Sequence, residues 1–152
     1  MTRQKRISPP PAVAPCARCK VLPQVSRECS GDVAWVACPI CEDEAGTIEE
    51  WNSLRLQAAI DDIAGRLAKL PPAAVPTSGH GWYARHQARQ AAAEELVGHL
   101  RREHGARVTL GAAPERMRLH GISVSCTSGV ANMIHAWLAK ARAALHQMGD
   151  AR

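Results

Sequence analysis

The sequence predicts a mixed α+β fold in two parts: a small four-cysteine module with a trailing helix, followed by a compact α-β-β-α domain. Five of the six cysteines lie in the stretch 15–52, which holds two Cys-x-x-Cys pairs. An apolar stripe at helical spacing follows them, and beyond a stretch rich in Pro, Ser and Gly the pattern alternates between helix and strand periods. At 152 residues the chain is long enough for two such units, because a domain of about 70 residues is near the lower limit for an independent core.

The N-terminal stretch 1–14 predicts a flexible arm, because it combines Pro9, Pro10 and Pro11 with three basic residues. No long apolar run follows these charges, and no apolar stretch is long enough to span a membrane. We therefore expect neither secretion nor membrane insertion. In a reducing compartment, clustered cysteines predict metal ligands rather than disulfides.

The two cysteine pairs, Cys16 with Cys19 and Cys38 with Cys41, predict one structural Zn²⁺ site. Each pair offers two thiolates from one tight turn, and the hairpin between them can bring the turns together into a tetrahedral site. The module is therefore expected to be a zinc ribbon of short antiparallel strands. Four thiolates leave no open position for water, so hydrolytic metal chemistry is not expected. Cys29 has no paired cysteine and is interpreted as a spare thiol.

A helix is predicted to begin at Thr47, because Thr47 and Glu50 form a capping box. It should run to about Leu70, where two prolines stop it, which gives a ribbon with its trailing helix over 15–70. The helix carries an apolar stripe: Leu56, Ile60, Ile63, Leu67 and Leu70. This stripe either docks on the C-terminal domain of the same chain or forms a homodimer with a second copy.

The stretch 71–81 predicts a linker, and 82–152 a basic α-β-β-α domain. Its first helix, 82–104, has one predicted inward face: Ala88, Ala92, Leu96, Val97 and Leu100. Two strands are predicted over 106–111 and 116–125. The last helix should begin with Thr127 or Ser128 as its cap.

The positive charge is concentrated in the C-terminal half of the chain. The net charge is +5, and 76–152 carries ten Lys and Arg against five Asp and Glu. A basic face suits a phosphate backbone or an acidic protein. The predicted contact residues are Arg85, Arg89, Arg101 and Arg102, with the backbone amides near Thr127 and Ser128 as a further phosphate contact.

Catalysis is not expected, because no nucleotide-binding loop, nucleophile elbow or carboxylate pair stands out. Cys126, with His120 or His135 as a base, is a minor enzyme hypothesis. All seven histidines lie in the C-terminal half. His99 and His104 lack the i, i+4 spacing of a helical metal pair, so the histidines are interpreted mostly as surface or capping residues.

The first part of the chain resembles a known family. The segments "PCARC", "CPIC" and "EEWN" are similar to those of the Lar-like restriction-alleviation zinc ribbons of phages and prophages, over about 14–55. The resemblance implies a phage origin and protection of incoming DNA from type I restriction. It also implies that Trp51 packs the helix on the ribbon and that Asn52 bonds a turn backbone. The family usually has Gly where this chain has Lys20 and Glu42.

These observations lead to two functional hypotheses. In the first, the chain is a phage-encoded, non-enzymatic counter-defence protein in the cytoplasm of a bacterial host, where it binds a restriction, CRISPR-type or other immune complex. In the second, it is a DNA- or RNA-binding zinc-ribbon regulator, in which the same arginines hold phosphates.

Overall fold

A computed structural model describes residues 12–73 and 81–150. The chain divides into two compact units, Met1–Arg55 and Leu56–Arg152. The division lies inside a helix and not at 71–81, where the sequence placed the linker. Most of that linker, 74–80, and most of the predicted N-terminal arm lie outside the described residues. The division falls within the helix because the apolar stripe of the helix belongs to the core of the second unit.

The first unit contains a three-stranded antiparallel sheet. Its strands are β1 (Gln24–Arg27), β2 (Val33–Ala37) and β3 (Glu44–Ala45), in the order β1-β2-β3. The predicted ribbon of short antiparallel strands is confirmed. Among the described residues of this unit, the core has only a few buried members: Cys16, Val36, Cys38, Ala45, Ile48 and Trp51. So small a core cannot by itself offset the chain entropy of folding, which is why a metal ion is expected to contribute.

Helix α1 (Ile48–Leu67) begins as the capping box predicts. The Thr47 hydroxyl accepts a hydrogen bond from the Glu50 amide at 3.0 Å, and the Glu50 carboxylate accepts one from the Gly46 amide, also at 3.0 Å. The return bond thus reaches one residue further back than in the standard motif. A turn over 68–70 closes the helix before Pro71.

The second unit has three strands between its helices, where the sequence predicted two. The elements are α2 (Gly81–His104), β4 (Arg107–Thr109), β5 (Glu115–Leu119), β6 (Ile122–Cys126) and α3 (Val130–Asp150). The sheet is antiparallel in the order β4-β5-β6. The single strand predicted over 116–125 is wrong, because His120 (φ 49°) and Gly121 (φ 75°) make a two-residue hairpin turn in its middle.

The core of the second unit includes most of the apolar stripe of α1. Leu56, Ile60, Ile63 and Leu67 are buried in it, and Leu70 packs against it. This is the arrangement expected when the stripe docks within its own chain, the first of the two alternatives. Trp137 of α3 is fully buried in the same core.

The inward face of α2 begins later than predicted. Leu96, Val97 and Leu100 are buried as expected, but Ala93 takes the place of Ala92, which is only half-buried. Ala88 is exposed. Among the described residues, no helix combines the length and the apolar character needed to cross a membrane.

Candidate metal centre and basic sheet face

Four cysteine side chains converge in the first unit. The Sγ atoms of Cys16, Cys19, Cys38 and Cys41 all lie within 4.8 Å of one another, and those of Cys16 and Cys41 are 3.6 Å apart. Ligand sulfurs around a tetrahedral ion with bonds of about 2.3 Å would be about 3.8 Å apart. The arrangement could therefore hold one metal ion, as the spacing of the two pairs predicted.

The two cysteine turns have the same backbone pattern. In the first, the amide of Lys20 donates to the carbonyl of Cys16 at 2.9 Å; in the second, the amide of Glu42 donates to the carbonyl of Cys38 at 3.1 Å. Lys20 and Glu42 both have φ of 59°, in the left-handed region. These are the positions where the Lar-like pattern usually has Gly, and a side chain there costs of order 1–3 kcal/mol.

The thiols of the cluster influence one another's protonation. The backbone amides of Cys41 and Ile40 lower the pKa of Cys38 to about 7. The amide of Asp43 lowers the pKa of Cys41, but burial and the neighbouring thiols outweigh it and raise that pKa to about 12. Burial also raises the pKa of Cys19. The raised pKa values of Cys19 and Cys41 reflect burial and close neighbouring thiols, and a bound cation would favour their thiolate forms.

Arg55 lies against the cluster, and sequence reasoning did not identify it. Its side chain is buried, with Nη1 3.6 Å from the Sγ of Cys16 and Nη2 4.0 Å from a carboxylate oxygen of Asp43. Its guanidinium carbon lies 4.2 Å from the centre of the Trp51 ring. A divalent ion with four thiolates carries a net charge of about −2, which a buried guanidinium partly offsets. The only signal in the sequence is the i, i+4 spacing of Trp51 and Arg55.

Trp51 and Asn52 hold the chain that leads into the first cysteine turn. Trp51 is fully buried and its Nε1 donates to the carbonyl of Ala14 at 2.8 Å. The Asn52 side chain accepts from the Ala14 amide and donates to the Ala12 carbonyl, each at 3.0 Å. Trp51 is thus a core residue, as expected, and Asn52 bonds the backbone just before the turn. Cys29 is exposed.

The four arginines predicted as a contact surface do not share one face of α2. At 100° per residue, Arg101 and Arg102 lie about 160° and 260° around the helix from Arg85, and Arg89 about 40°. Arg89 hydrogen-bonds a backbone carbonyl of the segment after α1, and Arg101 donates to the Val108 carbonyl at 2.8 Å. The structure therefore separates the arginines that the sequence grouped together.

The predicted phosphate contact before α3 is also altered. Thr127 and Ser128 are exposed, but α3 begins at Val130 and the Gly129 carbonyl accepts its first bond, from Met133. The Ser128 amide donates instead to the Sγ of Cys126 at 3.4 Å. Neither hydroxyl residue is the cap, because the turn places Gly129, with φ of 94°, in that position.

A different basic surface lies on the sheet of the second unit. Alternate residues of the three strands point away from the core, and all of these are exposed. We call this surface the arginine face; its members are Arg107 and Thr109 on β4, Arg116 and Arg118 on β5, and Ser123 and Ser125 on β6. The sequence analysis missed it because 116–125 was taken as one strand, which hid the pairing of β5 with β6.

The strand register brings the charges of the arginine face together. Arg107 lies directly opposite Arg118, and Arg116 lies between Thr109 and Ser125. Lys140 of α3 reaches the edge of the sheet and donates to the Ser123 carbonyl at 3.1 Å. Within 12–73 and 81–150, no ion pair neutralises the three guanidinium groups. Like charges in directly opposed positions destabilise a sheet, so this face favours an anionic partner.

The family of this chain stays a prediction after comparison with known proteins. No protein-family model, curated protein or solved structure matches it.

Proposed function

We propose that the chain is a nucleic-acid-binding protein whose arginine face holds phosphates and whose N-terminal unit is a structural zinc ribbon. The observation that carries this proposal is a set of three arginines on one exposed sheet face, none of which has an ion-pair partner among the described residues. It favours the second of the two functional hypotheses. It also replaces the arginines of α2 as the main contact surface.

The chemistry of the arginine face suits a phosphodiester backbone. Guanidinium groups bind phosphate oxygens through paired N–H donors, and Ser and Thr hydroxyls add neutral donors between them. Arg116 and Arg118 lie two residues apart on β5 and Arg107 lies opposite Arg118 on β4, so the three guanidinium groups share one face and can contact neighbouring phosphates of one backbone. No acidic residue is among the members of this face.

We assign the metal of the first unit as Zn²⁺. Soft thiolate donors in tetrahedral geometry are typical of zinc, and four of them leave no open coordination position. The ion is therefore structural: it holds together a unit whose own apolar core is small. The ribbon would then keep the N-terminal unit folded, and the phosphate contacts would come from the second unit.

The test compares two double variants that remove the same charge. Arg116→Gln with Arg118→Gln removes two arginines from the arginine face; Arg85→Gln with Arg102→Gln removes two from α2, among the residues that the sequence favoured. Binding of fluorescein-labelled duplex DNA and single-stranded RNA is followed by anisotropy at several salt concentrations. For duplex DNA, the plot of log K against log[salt] has a negative slope, and we expect the first variant to make this slope less steep by about 2. The second variant should change it little.

Two results would contradict this proposal. One is no salt-dependent binding of either nucleic acid by the wild-type protein; the other is an equal loss in both double variants. The counter-defence hypothesis stays a separate prediction, tested by a pull-down from bacterial lysate with and without nuclease. A defence protein that is retained after nuclease treatment would favour it. Loss of all bound protein with the nucleic acid would favour the proposal made here.

A further inference from the structure

Three side chains of the second unit meet between α1 and α2. The Nε2 atoms of His99 and His104 each lie 2.8 Å from the same carboxylate oxygen, Oδ2 of Asp62. The histidines are five residues apart on α2, and Asp62 lies on α1. Sequence analysis set these histidines aside because their spacing is not i, i+4. The helix packing supplies the third member instead, which no pattern within α2 could indicate.

The cluster is largely enclosed and its carboxylate is held in position. The side chains of His99 and His104 are only 17% and 14% exposed, and that of Asp62 is 33% exposed. The Nε of Arg66 donates to the other carboxylate oxygen, Oδ1, at 2.8 Å. This bond occupies Oδ1 and leaves Oδ2 facing the two imidazoles. Such an outer contact is the usual way in which a protein orients a metal-binding carboxylate.

We propose that Asp62, His99 and His104 form a second metal site that binds a divalent transition-metal ion of the zinc type. Two imidazole nitrogens and one carboxylate oxygen are borderline ligands, which suit Zn²⁺, Co²⁺ or Ni²⁺ and do not suit Mg²⁺ or Ca²⁺. The three ligand atoms lie within 4.8 Å of one another. Three protein ligands leave at least one position for water or an anion, unlike the closed site of four thiolates.

The arrangement of the rings agrees with shared coordination. The centroids of His99 and His104 are 5.8 Å apart, with 71° between the ring planes. Two imidazoles on one tetrahedral ion, with bonds of about 2.0–2.1 Å, would have centroids roughly 5 Å apart. An ion can enter from a shallow depression of about 280 Å³, which His99 lines together with Arg66 and Arg102. These two cations should make the site weaker than the cysteine site.

The competing explanation is a hydrogen-bonded cluster without metal. In that case each imidazole carries its proton on Nε2 and donates it to Asp62; in a metal site each Nε2 is unprotonated and the proton is on Nδ1. The variant Asp62→Asn distinguishes the hydrogen-bonded cluster from the metal site. With its oxygen towards the rings, the amide still accepts hydrogen bonds from both imidazoles and loses only the bond from Arg66, but it is a poor ligand for zinc. This variant should keep the fold and lose the ion.

The experiment counts bound zinc on the full-length chain without a histidine tag. A Cys29→Ser background removes the exposed thiol outside the cysteine cluster. After equilibrium dialysis against buffered free Zn²⁺, metal per chain is measured by mass spectrometry. We expect one more ion in the background protein than in Asp62→Asn or His104→Gln. His135→Gln, which changes an exposed histidine on α3, should leave the count unchanged.

Cobalt provides the second measurement. Thiolate-to-cobalt charge-transfer absorption reports on the cysteine site alone, so it should be the same in all these proteins, while Asp62→Asn should bind one Co²⁺ fewer. An equal zinc count in the background protein and in Asp62→Asn overturns the proposal, as does an equal loss in His135→Gln. The test compares the zinc content of the background protein with that of Asp62→Asn. The expected difference of one ion does not depend on whether the cysteine site is filled. The result is also independent of nucleic-acid binding.

Discussion

The Nη1 atom of Arg55 lies 3.6 Å from the Sγ of Cys16, and the guanidinium group is buried between this sulfur and the ring of Trp51. An isolated cation in such a place would be costly, because burial removes its hydration. The arrangement is stable only if negative charge is close by. The Asp43 carboxylate lies 4.0 Å from the guanidinium group, and the same guanidinium is placed to offset the negative charge that four thiolates would carry around a metal ion.

Arg55→Ala should weaken zinc binding by about 10- to 100-fold, because it removes the donor and the charge next to Cys16. Arg55→Lys keeps the charge but not the planar fork, so an intermediate loss is expected. Zinc affinity is measured by competition with a chromogenic chelator. Arg18→Ala is the matched control, since Arg18 lies within the first cysteine pair but is exposed. Equal affinities of Arg55→Ala and Arg18→Ala would show that Arg55 does not support the site.

Removal of the metal should unfold the first unit and leave the second one folded. The ion in a structural zinc site contributes an apparent binding free energy of about 10–16 kcal/mol, more than a small core can replace. The second unit has its own core, which includes Trp137, Met133 and Leu100. Hydrogen exchange of the full chain with a chelator should therefore show loss of protection over 16–45 and retained protection in β5, β6 and α3.

Cys38→Ser should have the same effect as the chelator, because a serine hydroxyl is not a zinc ligand at neutral pH. Cys29→Ser should behave as the wild type, since Cys29 is exposed and outside the cluster. Simultaneous unfolding of both units on metal removal would show instead that the second unit depends on the first.

The sequence predicted the metal centre better than it predicted the second unit, for a physical reason. Ligand geometry constrains the spacing within each cysteine pair, so Cys16, Cys19, Cys38 and Cys41 could be identified from positions alone. Similarly, the Thr47 cap is a local pattern and was found. Arg55 was not, because its contact with Cys16 joins residues 39 positions apart and has no required spacing.

The two sites of the second unit depend on tertiary packing. The hairpin turn at His120 and Gly121 interrupts a stretch that otherwise alternates like one strand, and missing this turn hid the arginine face. The cluster of Asp62 with His99 and His104 forms only when α1 packs against α2. Neither the register of β5 with β6 nor the facing of two helices is encoded in a short motif.

Asn52→Ala should release the segment before the first cysteine turn. It removes the hydrogen bonds to the Ala14 amide and the Ala12 carbonyl, at a cost of about 1–2 kcal/mol in the free energy of unfolding. Asn52→Asp can still accept from the Ala14 amide but cannot donate to Ala12, so about half the loss is expected. Denaturant unfolding of the zinc-loaded protein measures the stability loss in each of the two variants. Wild-type stability in Asn52→Ala would rule out a structural role for these bonds.

Glu42→Gly should stabilise the zinc-loaded protein, although it removes a side chain next to a metal ligand. Glu42 has φ of 59°, where a Cβ is strained by of order 1–3 kcal/mol and glycine is not. Glycine adds about 0.5–1 kcal/mol of unfolded-state entropy, so the net gain should be about 1 kcal/mol. Glu42→Ala is the control, because it removes the same carboxylate and keeps the Cβ. Both variants are compared by denaturant unfolding with zinc bound. If alanine stabilises as much as glycine, loss of the carboxylate is the cause and backbone strain is not.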